Sequence, residues 1–302
     1  MLSKLVSTLS RRASTLRSSV IKRARIGPLL RSVPHDAVIL EIGGGYSPRF
    51  VKSEYPNLYH LDHCTTKELR AKYAVDPNVA HRIGRIQPID FVVTGTLIET
   101  SIPPDLTFDL IFGSHVLEHQ VDLIGHLQSL GKLLKPGGRV IEMIPDLRTC
   151  FDALRYPSVT SDALLVHLKR PQIHQGKQVF DGVSRTIDKN YGHRMRNADF
   201  EGVRFNNSLK LAFEAMLASE QPDKPYTDTH AWTFTPESFR LLMIELRLLG
   251  LIRLAPAYVS PPYGNQFCTV LEHATGDLAT MTPDALQRLE RERFALSRQL
   301  RV

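Results

Sequence analysis

The chain predicts an α/β fold, a doubly wound and mainly parallel sheet, and three features of its 302 residues carry that prediction. Short apolar runs alternate with stretches of helical periodicity along most of the length. The run Val38-Ile39-Leu40-Glu41-Ile42 leads straight into Gly43-Gly44-Gly45, the strand-to-glycine turn that opens many ligand-binding α/β units. Lys135-Pro136-Gly137-Gly138 then stops a helix just ahead of another apolar run.

The N-terminal arm, residues 1–35, stands apart. It holds eight Lys and Arg and no acid, and subtracting those eight from the net +7 leaves −1 for the rest of the chain. Leu2, Leu5, Val6, Leu9, Ala13, Leu16, Val20 and Ala24 share one helical face, opposite most of the basic side chains. Three readings follow, in this order: a leading helix on the domain's own sheet, a helix lying on an anionic membrane surface, and an organelle transit peptide. The expected location is cytoplasmic, with peripheral contact at the inner membrane surface.

Beyond the arm, Ala37 to Ile42 reads as the first strand, Leu58 to Asp62 as the second and Ile89 to Val93 as the third. Phe108 to Gly113 is the fourth, followed by a helix from about Glu118 to Leu134 and a fifth strand from Arg139 to Ile144. Residues 150–231 break the rhythm with a polar stretch rich in Arg, His and Asn, and only Asn207 to Ser219 reads as helix there. A segment this long between regular elements reads as an inserted substrate cap. Thr235-Pro236 restarts a helix, with Thr as N-cap, that runs to Leu249. Strands at Leu251 to Ala255 and Gln266 to Leu271 complete the core domain, residues 36–272. A charged helix, Thr282 to Arg301, occupies the C-terminal segment, residues 273–302.

Composition is that of a globular protein, with 42% hydrophobic and 23% charged residues. No apolar run approaches the roughly 20 residues that cross a bilayer. Three scattered cysteines, Cys64, Cys150 and Cys268, fit a reducing compartment and lack metal-ligand spacing. Outside the arm, basic and aromatic residues do not cluster, so nucleic acid is not an expected partner.

By itself the glycine turn suits either a dinucleotide or a sulfonium nucleoside. The dinucleotide fingerprint asks for a third glycine where Pro48 stands. Glu41, two residues before Gly43, suits the ammonium and sulfonium of S-adenosylmethionine, while Gly43 and Gly45 let the backbone come close to a ligand. Asp62, closing the second strand, is placed to accept both ribose hydroxyls.

The stretch FDLIFGSHVLEHQVDLIGHLQSLGKLLKPGGRVIEMIPD, residues 108 to 146, resembles the class I S-adenosylmethionine-dependent methyltransferases. The resemblance covers roughly residues 36–148 and resumes over 235–272. It implies a Rossmann-like sheet of seven strands, an antiparallel last hairpin and S-adenosylmethionine as cofactor. Within that class, Ser114-His115-Val116-Leu117-Glu118-His119, Ile144-Pro145-Asp146-Leu147-Arg148, Phe151-Asp152, Gln178-Val179-Phe180-Asp181 and His230-Ala231-Trp232-Thr233-Phe234-Thr235-Pro236 resemble a bacterial subgroup associated with polysaccharide and glycosyl-transfer machinery. The subgroup implies a glycan or other small acceptor. Ser47 stands where many members have a further glycine, and Thr96 follows Gly95 where many have an acid near the adenine.

Cofactor contacts are therefore expected from Glu41, Gly43, Gly45, Asp62, Gly95, Thr96 and Ser114. A hydroxyl acceptor has to lose a proton, and His115 and His119, at the carboxyl edge of the fourth strand, are the candidate bases. Were the helix already begun there, the i, i+4 spacing would put both imidazoles on one face. Asp146 joins them as a catalytic candidate, and Arg148, His230 and Trp232 are expected at the acceptor. No metal is expected, since His-Val-Leu-Glu-His lacks the His-Glu-x-x-His order and the sequence offers no third ligand. The alternative function is a catalytically silent cofactor-binding scaffold for a glycosyltransferase or membrane complex.

Overall fold

A computed structural model describes Gly27, Leu30 and residues 32–93, 97–188, 200–221, 223, 224, 226–274, 276 and 281–300. Residues 1–26, which carry the amphipathic pattern of the arm, lie outside the described residues, as do Gly95 and Thr96.

Seven strands make one sheet: β1 (Ile39–Ile42), β2 (Leu58–Asp62), β3 (Phe91–Val92), β4 (Phe108–Ser114), β5 (Leu134–Pro145), β6 (Leu254–Val259) and β7 (Gln266–His273). Their order is β3-β2-β1-β4-β5-β7-β6, parallel except for β7, which runs antiparallel to both β5 and β6. This is the Rossmann-like class I methyltransferase arrangement, and the reversal on either side of β1 opens a crevice at the carboxyl ends of β1 and β4.

Alternation along β5 separates two cores. Val140 and Ile144 pack with Leu123, Leu127, Phe239 and Trp232 on one face, while Ile141 and Met143 pack with Phe50, Leu58 and Phe112 on the other. A sheet buried on both faces explains why its strands read as continuous apolar runs.

Helices α1 (Thr66–Ala74), α2 (Leu123–Leu133), α3 (Thr160–Lys169), α4 (Lys177–Ser184), α5 (Leu209–Ser219), α6 (Pro236–Leu248) and α7 (Pro283–Gln299) complete the described elements. The Thr235 hydroxyl accepts the Ser238 N–H to start α6, as its Thr-Pro signal predicts. The region between β5 and α6 holds three helices where the sequence signalled only α5, because α3 and α4 are short and partly polar. Strand β6 lies three residues later than expected, since Leu251 and Ile252 still pack beneath α6.

The largest correction lies after β4. The expected helix from Glu118 begins only at Leu123, where the Asp122 carboxylate accepts the Gly125 N–H. Before it come a left-handed residue, His115 (φ 58°), and a single 3₁₀ turn, Leu117–His119. Strand β5 starts early, at Leu134, because the Lys135–Gly138 segment bulges out of register between Phe108 and Leu110.

Candidate active site

Four strand ends converge on one edge of the sheet, and most of the expected site residues stand there. After β1 the chain turns through Gly43 (φ 66°) and Gly45 (φ 46°), backbone conformations that favour glycine. A Cβ on Gly43 would lie 2.6 Å from Val116 Cγ2, so the glycine turn and the loop after β4 are in direct contact.

Glu41 has another task than the one expected of it. Its Oε1 accepts the Arg49 N–H at 2.6 Å and its Oε2 the Phe50 N–H at 2.9 Å. Both oxygens are thus committed to fastening the far end of the turn, which makes Glu41 a positioning residue. Burial pushes its carboxyl up to about 7, against the two N–H groups that pull it down.

Asp62 ends β2 with its carboxylate mostly buried. Its Oδ1 is taken by the backbone N–H and ring of His63, and its Oδ2 bonds no protein group among the described residues. Tyr73, whose hydroxyl lies beside Gly45, is raised to about 12 by burial and by the charges of Asp62 and Asp228. Ser114, half-buried, ends β4 opposite Met143 of β5.

Beyond Ser114 stands a cluster of imidazoles around one acid, Glu118, which is 1% exposed. His115 Nδ1 is 3.5 Å from Glu118 Oε1, an ion-pair contact too long for a good hydrogen bond, while its Nε2 lies 2.8 Å from Gln266 Oε1. His119 Nε2 and His230 Nε2 approach the same Oε1 at 4.0 and 3.9 Å. His119 Nδ1 is bonded to Asp228 at 2.9 Å, and His230 Nδ1 makes a short bond to Asp152. Asp152 is clamped in turn by Arg155, which also donates to the His230 carbonyl at 2.6 Å.

The electrostatics follow from that packing. Burial alone would raise the Glu118 carboxyl, and the surrounding imidazoles of His115, His230 and His119 outweigh it, so the acid stays ionised. Burial likewise opposes charge on His119, but Asp228 and Glu118 win and its affinity for a proton rises. Glu142 of β5, buried with neither oxygen bonded, is pushed up to about 8 by desolvation and by the charge of Glu118. Gly113 makes room for it, since a Cβ there would collide with the Glu142 carboxylate.

Three expectations need correction. Asp146 is fully buried and accepts both Nε and Nη2 of Arg148, at 3.0 and 2.9 Å, so the pair is a strut at the end of β5 and not a base beside an acceptor-binding cation. Trp232 belongs to the core, 2% exposed, with its indole N–H donated to the Gln120 carbonyl and its backbone N–H to that of Glu118. It shapes the 3₁₀ turn from behind. His115 and His119 do share a site, but through that turn and not through a helix face.

His230, expected at the acceptor, stands in the cluster, whereas Glu118, Asp152, Asp228 and Gln266 escaped notice as site residues. Glu118 and Asp152 sit inside the quoted motifs; Asp228 carries no sequence signal. Of the cap residues suited to gripping an acceptor, Tyr191, His193, Arg194 and Arg196 lie outside the described residues.

A family model described as a methyltransferase domain matches residues 12–205. Among solved structures, the chain is similar to the CcbJ methyltransferase from Streptomyces caelestis, at 12% identity over 82% of this chain and 87% of that one, TM-score 0.42. It is also similar to DhpI in its SAH complex, at 12% identity over 88% and 93%, TM-score 0.40. A third is the mitomycin 7-O-methyltransferase MmcR, at 13% identity over 84% of this chain and only 54% of that one, TM-score 0.38, so the chain spans about half that enzyme's length. Likenesses this distant assign neither substrate nor mechanism. No curated protein matches the chain in sequence.

Proposed function

The chain belongs to the methyltransferase-domain family, and on that premise we propose that it methylates an oxygen of a sugar, glycan-linked or other small acceptor. S-adenosylmethionine, when bound, supplies an electrophilic methyl on sulfur and departs as the neutral thioether S-adenosylhomocysteine. The residues present fit that cofactor: a glycine turn with two left-handed residues, an Asp62 oxygen that bonds no protein group among the described residues, and the Tyr73 ring walling the turn.

The observation that carries the reading is the contact between this turn and the imidazole cluster, through Gly43 and Val116. That contact supports a base near the transferred methyl, which an oxygen acceptor needs. Gln266 Oε1 accepts the Nε2–H of His115, and in that tautomer Nδ1, 3.5 Å from Glu118 Oε1, is the atom that takes the acceptor's proton. Glu118, 3.5 Å away and ionised, stabilises the imidazolium that results. Most of the remaining acceleration comes from alignment of oxygen, methyl and sulfur. The motifs shared with the polysaccharide-associated subgroup favour a sugar acceptor. The arm, with eight cations and no acid, suits contact with an anionic membrane surface, which salt-sensitive binding to phosphatidylserine vesicles tests.

Calorimetric titration with S-adenosylhomocysteine tests the cofactor site. Binding near about −8 kcal/mol, lost in Asp62→Ala and absent for NAD, is the expected result. His115→Gln is expected to keep that binding and to lose about 10²–10⁴ in turnover with an acceptor. A well-folded wild type that ignores S-adenosylhomocysteine overturns the proposal.

A further inference from the structure

The tautomers of two histidines raise a question that methyl transfer alone does not answer. The Nδ1 atoms of His119 and His230 each face a carboxylate, Asp228 and Asp152, so each carries its hydrogen there. Each Nε2 then faces the same oxygen of Glu118, from 4.0 and 3.9 Å. That oxygen is buried and, among the described residues, has no partner at normal hydrogen-bond distance, with His115 Nδ1 approaching it at 3.5 Å. Two imidazole nitrogens and one carboxylate oxygen thus converge, all of them atoms of the kind that ligate metal ions.

We propose that Glu118, His119 and His230 bind one divalent transition-metal ion, with Zn²⁺ the best match to the donor set. These three residues hold their ligand atoms within 4.8 Å of one another. Four-coordinate zinc places its donors about 3.3 Å apart at bond lengths of roughly 2.0–2.1 Å, so each ligand atom moves inward by about half an ångström or somewhat more to close the site. Two imidazoles and one carboxylate leave a fourth position open, the composition of catalytic zinc centres. Magnesium and calcium are disfavoured because they take oxygen ligands.

The outer partners are those a metal site requires. Asp228 and Asp152 orient the imidazoles, and Arg155 fixes Asp152. Glu118 is held by the 3₁₀ turn and by the Trp232 N–H on its carbonyl. His230 arrives from a different part of the chain, 112 positions beyond Glu118, which explains why the motif spacing showed no third ligand.

The role of the ion rests on the methyl-transfer reading, although its binding does not. At the open position the ion takes the acceptor's hydroxyl oxygen and lowers its pKa. The O–H bond breaks with its proton passing to His115 Nδ1. The oxygen then forms a bond to the methyl carbon as the carbon–sulfur bond breaks.

The test uses the full chain, stripped by chelator and titrated with Co²⁺, followed by visible absorption and displacement with Zn²⁺. One Co²⁺ per chain with intense low-symmetry bands is expected. Glu118→Gln and His230→Gln should abolish the bands, and the His81→Gln control, at an exposed site, should leave them intact. Asp228→Asn, whose side chain is 62% exposed and thus tolerates replacement, should weaken binding about 10- to 100-fold. A stripped, folded wild type that takes up neither ion overturns the site, because a proton on one imidazole then neutralises Glu118. Asp228→Asn binding as tightly as wild type does the same. Calorimetry with S-adenosylhomocysteine on the same sample separates the two readings. Cofactor without metal refutes the metal site alone, and metal without cofactor refutes the methyltransferase reading alone.

Discussion

Gly43→Ala is the sharpest perturbation of the proposed junction between cofactor turn and imidazole cluster. Two costs can be read from the structure. An L-residue at φ 66° costs about 1–2 kcal/mol in the left-handed region. A Cβ at 2.6 Å from Val116 Cγ2 adds an overpacking cost of about 1–3 kcal/mol, relieved in part if the valine rotates. Gly44→Ala is the control, because its φ is not left-handed and its added Cβ meets nothing nearer than 3.4 Å. Urea unfolding should therefore show Gly43→Ala less stable by about 2–4 kcal/mol and Gly44→Ala nearly neutral. Displacing the turn should also weaken S-adenosylhomocysteine at least about tenfold, which is about 1.4 kcal/mol. Adding Val116→Ala to Gly43→Ala removes the clashing methyl and should recover the steric part only, leaving the backbone part in a double-mutant cycle. Equal stability and equal affinity for the two glycine variants would refute the reasoning.

Two further predictions concern acid sensitivity and the strut at the end of β5. His126 is fully buried with neither ring nitrogen bonded, and burial pulls it down to about 4 against the charges of Glu99 and Asp122. The native state thus refuses a proton that the unfolded chain accepts below about 6.5. The contribution of His126 is fully present above that value and falls by about 1.4 kcal/mol per pH unit as pH drops toward 4. His60, also lowered to about 4 chiefly by burial, acts in the same sense, whereas Glu41 and Glu142, raised to about 7 and about 8, act in the opposite one, so His126→Leu should shift the acid slope by about 1.4 kcal/mol per pH unit in the stabilising direction; an unchanged slope in that variant sinks the account. Arg148→Met leaves buried Asp146 with only the Arg148 backbone N–H, and since Arg148 is 48% exposed the discounted cost is about 1–2 kcal/mol. If that variant loses turnover while keeping its unfolding midpoint, Asp146 belongs to the chemistry after all.

The sheet was legible because its signals are local. Val38 to Ile42, Phe108 to Gly113 and the apolar run before Asp146 are buried on both faces, and burial on both faces writes itself as an unbroken apolar run. The glycine turn was legible for the same reason, since left-handed backbone at Gly43 and Gly45 leaves its mark residue by residue. The helix after β4 was misplaced because Leu117-Glu118-His119 has helical composition, while its conformation is set from a distance by Trp232, whose indole and backbone hold Gln120 and Glu118.

The imidazole cluster was only half legible, and the reason is geometric. His119 meets Asp228 across 109 residues and His230 meets Asp152 across 78, so no window of sequence contains a complete unit. Glu118 could not be recognised by type either, because an acid between Leu117 and His119 looks like an ordinary solvated turn residue. What distinguishes it is a deficit: among the described residues it is a fully buried carboxylate whose oxygens have no partner at normal hydrogen-bond distance, with the Nε2 atoms of His119 and His230 facing it at 4.0 and 3.9 Å. Such a deficit exists only once the chain has folded. Asp152, Arg155 and Asp228 fix two imidazoles against one buried carboxylate, and Co²⁺ binding by the full chain decides whether a metal ion or a proton stands at their focus.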